Sequence, residues 1–112
     1  MTRHPRGDPL RLSDIVAATR RIASYIAGGE EEFFGSTMAQ DAVLRQLEVI
    51  GEAAGNVSSR VQADHPEVPW RAMRGFASFS KHEYWRVEPR RVWNAAVECE
   101  SIGTEVAQVR AD

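Results

Sequence analysis

The chain has 112 residues and a mass of 12.5 kDa, which is enough for one domain with its own core. Hydrophobic residues make up 43% of the chain and charged residues 27%, as in ordinary globular proteins. No apolar run approaches the ~20 residues of a membrane-spanning helix, and the N-terminus has no apolar signal-peptide core. A single cysteine, Cys99, excludes an intramolecular disulfide and a cysteine-based zinc cluster. These features predict a cytoplasmic protein that does not contact a membrane.

The net charge of −2 conceals an uneven distribution of charged residues. Residues 28–67 contain eight acidic residues and two basic ones, whereas residues 70–91 contain six basic residues and two acidic ones. A local basic patch can attract phosphate even when the whole chain is slightly acidic. Two solvated helix faces of different sign would give the same pattern.

The N-terminal half predicts a tail followed by a helix and a short helical turn. Residues 1–9 contain two prolines and a glycine without periodicity, so we expect a flexible tail and a helical domain over residues 10–112. Apolar residues then recur every three or four positions from near Leu10, which predicts a first helix ending at Gly28-Gly29. Residues 30–34 can form one further helical turn.

A second helix is predicted from Ser36 or Thr37, either of which is a suitable N-cap. Its apolar side chains follow one seam over about five turns: Val43, Leu47, Ile50, Ala54, Val57 and Val61. Gly51 and Gly55 lie within this helix, and each costs ~1 kcal/mol relative to alanine. Either another backbone approaches closely at these positions, or the helix simply tolerates them.

Prolines mark the boundaries of the C-terminal elements. The third helix is predicted to begin at Pro69-Trp70, the pattern is irregular from Lys81 to Glu88, and Pro89 opens the last helix. Cys99 lies on the apolar face of that helix and is expected in the core. No alternating pattern typical of strands occurs. The sequence therefore predicts an all-α protein, a four- to five-helix up-down bundle.

Residues 80–86 crowd an imidazole, basic groups and two aromatic rings into one short segment. His82 can accept a proton from a ribose 2′-hydroxyl near neutral pH, and neighbouring cations can hold a phosphate. Tyr84 and Trp85 can stack on unpaired bases. A helix end with packed aromatics and capped carbonyls would explain the same residues. Neither a phosphate-binding glycine loop nor the spacing of a metal site is present in the sequence.

Residues 11–109 resemble the HepT-type toxins of the HEPN superfamily. The resemblance rests on four segments in order: residues 11–15 (RLSDI), residues 40–54 (QDAVLRQLEVIGEAA), residues 65–71 (HPEVPWR) and residues 82–85 (HEYW). It implies a HEPN-type bundle that forms a homodimer, with the active cleft across the two-fold axis. It also implies a metal-independent endoribonuclease that cleaves tRNA or mRNA in a type II/VII-like toxin–antitoxin system of bacteria or archaea.

The family motif is arginine, four residues, histidine, one residue and tyrosine. By resemblance, His82 is the catalytic histidine. Tyr84 is the residue to which a minimal nucleotidyltransferase antitoxin adds AMP from ATP. The implied partners are RNA, the antitoxin and a second copy of the chain. No metal or other cofactor is implied.

The motif arginine is missing, because its position is occupied by Ala77 and the polar residue after it is Ser78. Three explanations are open: an engineered arginine-to-alanine change, a naturally degenerate member that only dimerises and binds its antitoxin, or another cation in the same role. The candidate substitutes, or phosphate-binding residues, are Arg74, Lys81 and Arg86, with Ser78 beside them. We expect an inactive or weakened nuclease. The alternative is a non-catalytic helical dimer that binds the antitoxin or RNA.

Overall fold

The computed structural model describes residues 7–79 and 88–110, and over these ranges the chain is helical with no strand. The elements are α1 (Gly7–Tyr25), α2 (Glu30–Phe34), α3 (Thr37–Gly55), α4 (Ser59–Asp64), α5 (Trp70–Gly75), a 3-10 turn (Phe76–Ser78) and α6 (Pro89–Ala107). The predicted all-α helical bundle is confirmed. None of the described helices is long and apolar enough to cross a membrane.

The three 19-residue helices α1, α3 and α6 form the centre of the bundle, and each contacts the other two. α5 and the 3-10 turn pack on α3. The apolar seams predicted from the sequence face inward, with Ile15, Leu47 and Ile50 fully buried. Burying one such side chain contributes roughly 1.5–3 kcal/mol to folding. α3 is therefore part of the core, and the 3-10 turn packs on it.

The continuous second helix predicted to reach Val61 is wrong, because α3 ends at Gly55 and α4 starts at Ser59. The Ser58 hydroxyl caps α4 by accepting from the Val61 N–H at 3.3 Å. The Gln62 amide donates to the carbonyls of Ala54 (3.2 Å) and Val57 (2.9 Å). It thereby satisfies backbone acceptors that a helix end leaves unpaired.

The first helix starts at Gly7, three residues before the predicted start at Leu10. The Asp8 carboxylate accepts from the backbone N–H of Ser58 at 2.8 Å and fixes this end of α1 to the α3–α4 connection. Pro9 is tolerated because the N–H groups of a first helical turn have no intrahelical partner. Residues 7–9 therefore belong to the helix and not to the predicted tail. Residues 1–6 lie outside the described residues.

The remaining helix starts agree closely with the prediction. Ser36 is the N-cap of α3, and its hydroxyl accepts from the Ala39 N–H at 3.0 Å. Pro89 is the first residue of α6. Pro69 differs slightly, because it is the N-cap of α5 and the helix itself begins at Trp70.

Candidate functional site

The position of the missing motif arginine lies directly against α3. A Cβ atom added to Gly51 would overlap the backbone nitrogen of Ala77 and lie 2.7 Å from its Cβ. Only glycine permits this approach of the 3-10 turn, so the close-approach explanation is confirmed for Gly51. It is wrong for Gly55, because a Cβ there would meet nothing within 4 Å in the described part of the chain.

A surface cleft of about 440 Å³ opens beside Ala77. Its lining includes Ala77 and, from α3, Arg45, Glu48, Gly51, Glu52 and Gly55. The two glycines leave space along the helix, and the two carboxylates supply negative charge. Arg45 approaches Glu48 at 3.9 Å, a separation that gives a weak surface ion pair. A guanidinium side chain entering from position 77 would therefore meet room and the carboxylate of Glu52.

The other described candidates next to position 77 make local hydrogen bonds. Arg74 donates from Nη1 to Oε1 of Gln62 at 2.6 Å, which ties it to the residue that closes the α3–α4 break. Arg74 is not among the residues that line the cleft. The hydroxyl of Ser78 donates to the carbonyl of Gly75 at 2.8 Å.

His82 and Tyr84, together with Lys81 and Arg86, lie outside the described residues. Their assigned roles therefore remain predictions. The described residues on either side of this segment are Phe79 and Glu88.

Arg90 and Arg91 were not among the site residues predicted from the sequence, although both lie in the first turn of α6. Nη1 of Arg90 is 2.8 Å from Oε2 of Glu30, and its guanidinium lies 4.6 Å from the centre of the Phe34 ring. The Arg91 guanidinium lies 5.0 Å from the centre of the Phe79 ring. Their position directly after Pro89 could have identified them from the sequence, because the N-terminus of a helix disfavours cations.

Among the described residues, two titratable groups away from this cleft have shifted pKa values. Burial, with a smaller contribution from Glu98, raises the pKa of the Cys99 thiol to about 12. The pKa of Glu67 is lowered, first by a hydrogen bond from its own backbone N–H and then by His65, whose Nδ1 lies 3.2 Å from Oε2. Cys99 is buried as predicted. Across residues 7–79 and 88–110, no three His, Cys, Asp or Glu side chains are placed to hold a metal ion.

The structure thus defines a small all-helical domain whose candidate site lies where a short helical turn meets α3. A family model described as "Ribonuclease HepT-like" matches residues 15–103. The chain therefore belongs to the HepT-like ribonuclease family.

Curated relatives agree with this assignment. The chain is 38% identical over 88 residues to "Probable ribonuclease HepT" of Thermococcus cleftensis, an alignment that covers 78% of this chain and 80% of the relative. It is 33% identical over 88 residues to "Putative RNase MJ1380" of Methanocaldococcus jannaschii, covering 78% and 81% of the two chains. No solved structure matches this chain.

Proposed function

We propose that this protein is the ribonuclease-type toxin of a two-component toxin–antitoxin system, weakened because Ala77 stands where the motif has arginine. Membership of the HepT-like family supports the ribonuclease class. The observation that carries the proposal is the cleft beside Ala77, which has the room and the carboxylates to receive a guanidinium from that position. The domain that carries this function spans residues 10–112 together with the first turn of α1.

The proposed reaction is transesterification within RNA, without a metal. His82 accepts the proton of a ribose 2′-hydroxyl, and the 2′-oxygen forms a bond to the adjacent phosphorus. The bond from phosphorus to the 5′-oxygen breaks, and that oxygen takes up a proton from His82 of the partner subunit in the proposed homodimer. The products are a 2′,3′-cyclic phosphate and a free 5′-hydroxyl.

The missing guanidinium explains why we expect weak activity. A cation stabilises the negative charge that develops on the phosphate, and a methyl group does not. Loss of one such donor typically slows a reaction about a hundredfold to a thousandfold. We therefore expect a slow enzyme or an inactive one.

The proposed partners are tRNA or mRNA, a second copy of the chain and a minimal nucleotidyltransferase antitoxin, all in the cytoplasm of a bacterium or archaeon. The antitoxin would transfer AMP from ATP to the hydroxyl of Tyr84 and release pyrophosphate. The added phosphate would repel RNA and occupy space beside the site.

Cleavage of labelled tRNA in EDTA tests the proposal. The protein is compared with Ala77→Arg and with the double variant Ala77→Arg/His82→Ala, and the ends are analysed for cyclic phosphate. We expect Ala77→Arg to cleave at least a hundredfold faster than the chain with Ala77 and the double variant to be inactive. Cleavage that persists in the double variant would contradict the role of His82.

The alternative is a non-catalytic dimer that binds the antitoxin or RNA, and Ala77 itself favours it, because the motif is incomplete. Absence of cleavage by both the chain with Ala77 and Ala77→Arg, with tight binding of RNA or antitoxin, would support this alternative. Cleavage by the chain with Ala77 that is lost in His82→Ala would show that another cation replaces the arginine.

A further inference from the structure

The first turn of α6 places two arginines where a helix favours negative charge. The N-terminus of a helix carries the positive end of its macrodipole, so cations there are disfavoured and anions are attracted. The first turn contains no acidic residue, and the side chain of the N-cap, Glu88, makes no capping hydrogen bond. Departures from local rules of this kind are concentrated at functional sites.

The two arginines differ in what compensates their charge. Arg90 has a carboxylate partner, Glu30, at 2.8 Å, in addition to the ring of Phe34. Arg91 is exposed and lies over the face of Phe79, and no carboxylate of the described residues lies within ion-pair distance of it. An anion that would complement Arg91 is therefore missing from the described part of the chain.

Phe79 connects Arg91 to the segment that carries the motif. It is two residues after Ala77, and its ring packs edge-on against Phe76 at 5.8 Å between centroids. Phe76 is buried, so the stack of two rings and one guanidinium runs from the core to the surface. The stack holds the guanidinium of Arg91, which is an exposed residue, against an aromatic ring.

A guanidinium held in this way suits a phosphate. The face of an aromatic ring attracts the cation at about 0.5–1 kcal/mol on an exposed surface, and the planar N–H fork can bind two phosphate oxygens at once. A lysine at the same position would lack both the planar stack and the fork.

We infer that Arg91 binds a phosphate of the RNA substrate and partly replaces the guanidinium that is missing at position 77. This inference rests on the proposed function, because it takes RNA as the ligand. It differs from the substitutes considered from the sequence, since Arg91 lies in α6 and stacks on Phe79, two residues after Ala77.

A double-mutant cycle between positions 77 and 91 tests the inference. The four proteins are the unsubstituted chain, Arg91→Ala, Ala77→Arg and the double variant. Each is assayed for single-stranded RNA binding over a range of KCl concentrations and for cleavage in EDTA. Arg90→Ala is the matched control, because it removes the same charge from the same helical turn. Phe79→Leu keeps an apolar side chain in the stack and removes the ring.

We expect Arg91→Ala to flatten the slope of log K against log salt by about 0.7, the value for one lost phosphate contact on a single strand. Phe79→Leu should weaken binding in the same direction, and Arg90→Ala should have a smaller effect. Any cleavage penalty of Arg91→Ala should be larger when residue 77 is alanine than when it is arginine, because the two guanidiniums share one role.

Two results separate failure of this inference from failure of the proposed function. If RNA binds and Arg91→Ala weakens this binding no more than Arg90→Ala does, the inference is overturned. The nuclease proposal then still stands if Ala77→Arg cleaves RNA. If Ala77→Arg does not cleave but Arg91→Ala still lowers the salt slope, phosphate binding is supported and the catalytic proposal is overturned. Unchanged circular dichroism of each variant establishes that folding is retained.

Discussion

At the scale of single residues, position 77 shows what the spacing of the motif predicts and what it does not. Counting back from His82 identifies Ala77 as the place of the missing arginine, and that step needs only the sequence. The carboxylates of Glu48 and Glu52 line the same cleft, although they are 29 and 25 positions earlier in the chain. Their proximity depends on how the 3-10 turn packs on α3, which no local pattern encodes.

Cys99 should be an unreactive thiol in the folded protein. Its pKa is raised to about 12 from 9.0, mainly by burial, so the nucleophilic thiolate is scarce at neutral pH. We expect slow labelling by a thiol-specific disulfide reagent at pH 8, and fast labelling in concentrated urea. Complete labelling of the native protein at the rate of the unfolded one would contradict the buried position.

The same shift makes stability depend on pH in a defined window. The thiol has the higher pKa in the folded state. Below pH 9 it is protonated in both the folded and the unfolded state, so the free energy of unfolding keeps its full value there. Between about pH 9 and 12 the unfolded state loses its proton first, and the free energy of unfolding falls. The unfolding constant should rise by up to about tenfold per pH unit there. The variant Cys99→Ala should lack this component, and identical pH profiles for the two proteins would refute it.

Tyr84 provides a test of the antitoxin proposal at a single hydroxyl. Incubation with the cognate nucleotidyltransferase and ATP should add the mass of one AMP to the chain, and Tyr84→Phe should abolish the addition. Intact mass spectrometry measures it. A gain that survives in Tyr84→Phe would place the modification elsewhere, and no gain in either protein would leave direct binding as the route of neutralisation.

At the scale of the elements, Gly51 and Gly55 form a matched pair of helix glycines. Alanine at Gly51 gains ~1 kcal/mol of helix propensity but overlaps the Ala77 backbone, and overpacking of this kind typically costs about 1–3 kcal/mol. We expect Gly51→Ala to lower the urea midpoint and Gly55→Ala, which enters open space, to leave it unchanged or raise it. Equal midpoints for the two variants would contradict the close approach of the 3-10 turn.

The helices show what periodicity can and cannot predict. The three-four spacing identified the buried faces, and the caps Ser36 and Pro89 fixed two helix starts. The break after Gly55 escaped prediction because Val57, within the break, and Val61, in α4, continue the spacing and are both buried. The break is stabilised by tertiary hydrogen bonds, including one from Ser58 to Asp8, 50 residues earlier. A window of local sequence does not contain that partner.

The role proposed for Arg91 was missed for a similar reason. The contact between Arg91 and Phe79 joins two residues that are 12 positions apart in the chain. The sequence showed only that residues 70–91 are basic. Arg90 differs from Arg91 in its ion pair with Glu30. Glu30 belongs to α2, which precedes α3 in the chain, so no local pattern around Arg90 predicts this pair.

At the scale of the whole molecule, the bundle is small and elongated, with principal extents of 43 × 28 × 22 Å. Large apolar side chains remain exposed on it, including Met38 at 81% and Val97 at 52%. A second copy of the chain would remove such surface from water. Together with the two-fold cleft that the family resemblance implies, this leads us to expect a homodimer.

Sedimentation velocity measures the expected dimer directly, as a species of about 25 kDa (twice 12.5 kDa) at tens of micromolar. The dimer also has a kinetic consequence, because the proposed reaction takes its base from one subunit and its acid from the other. The cleavage rate per chain of Ala77→Arg should therefore fall on dilution through the dimer dissociation constant. A monomer at tens of micromolar, or a rate per chain that is constant while the dimer dissociates, would show that one subunit contains the whole active site.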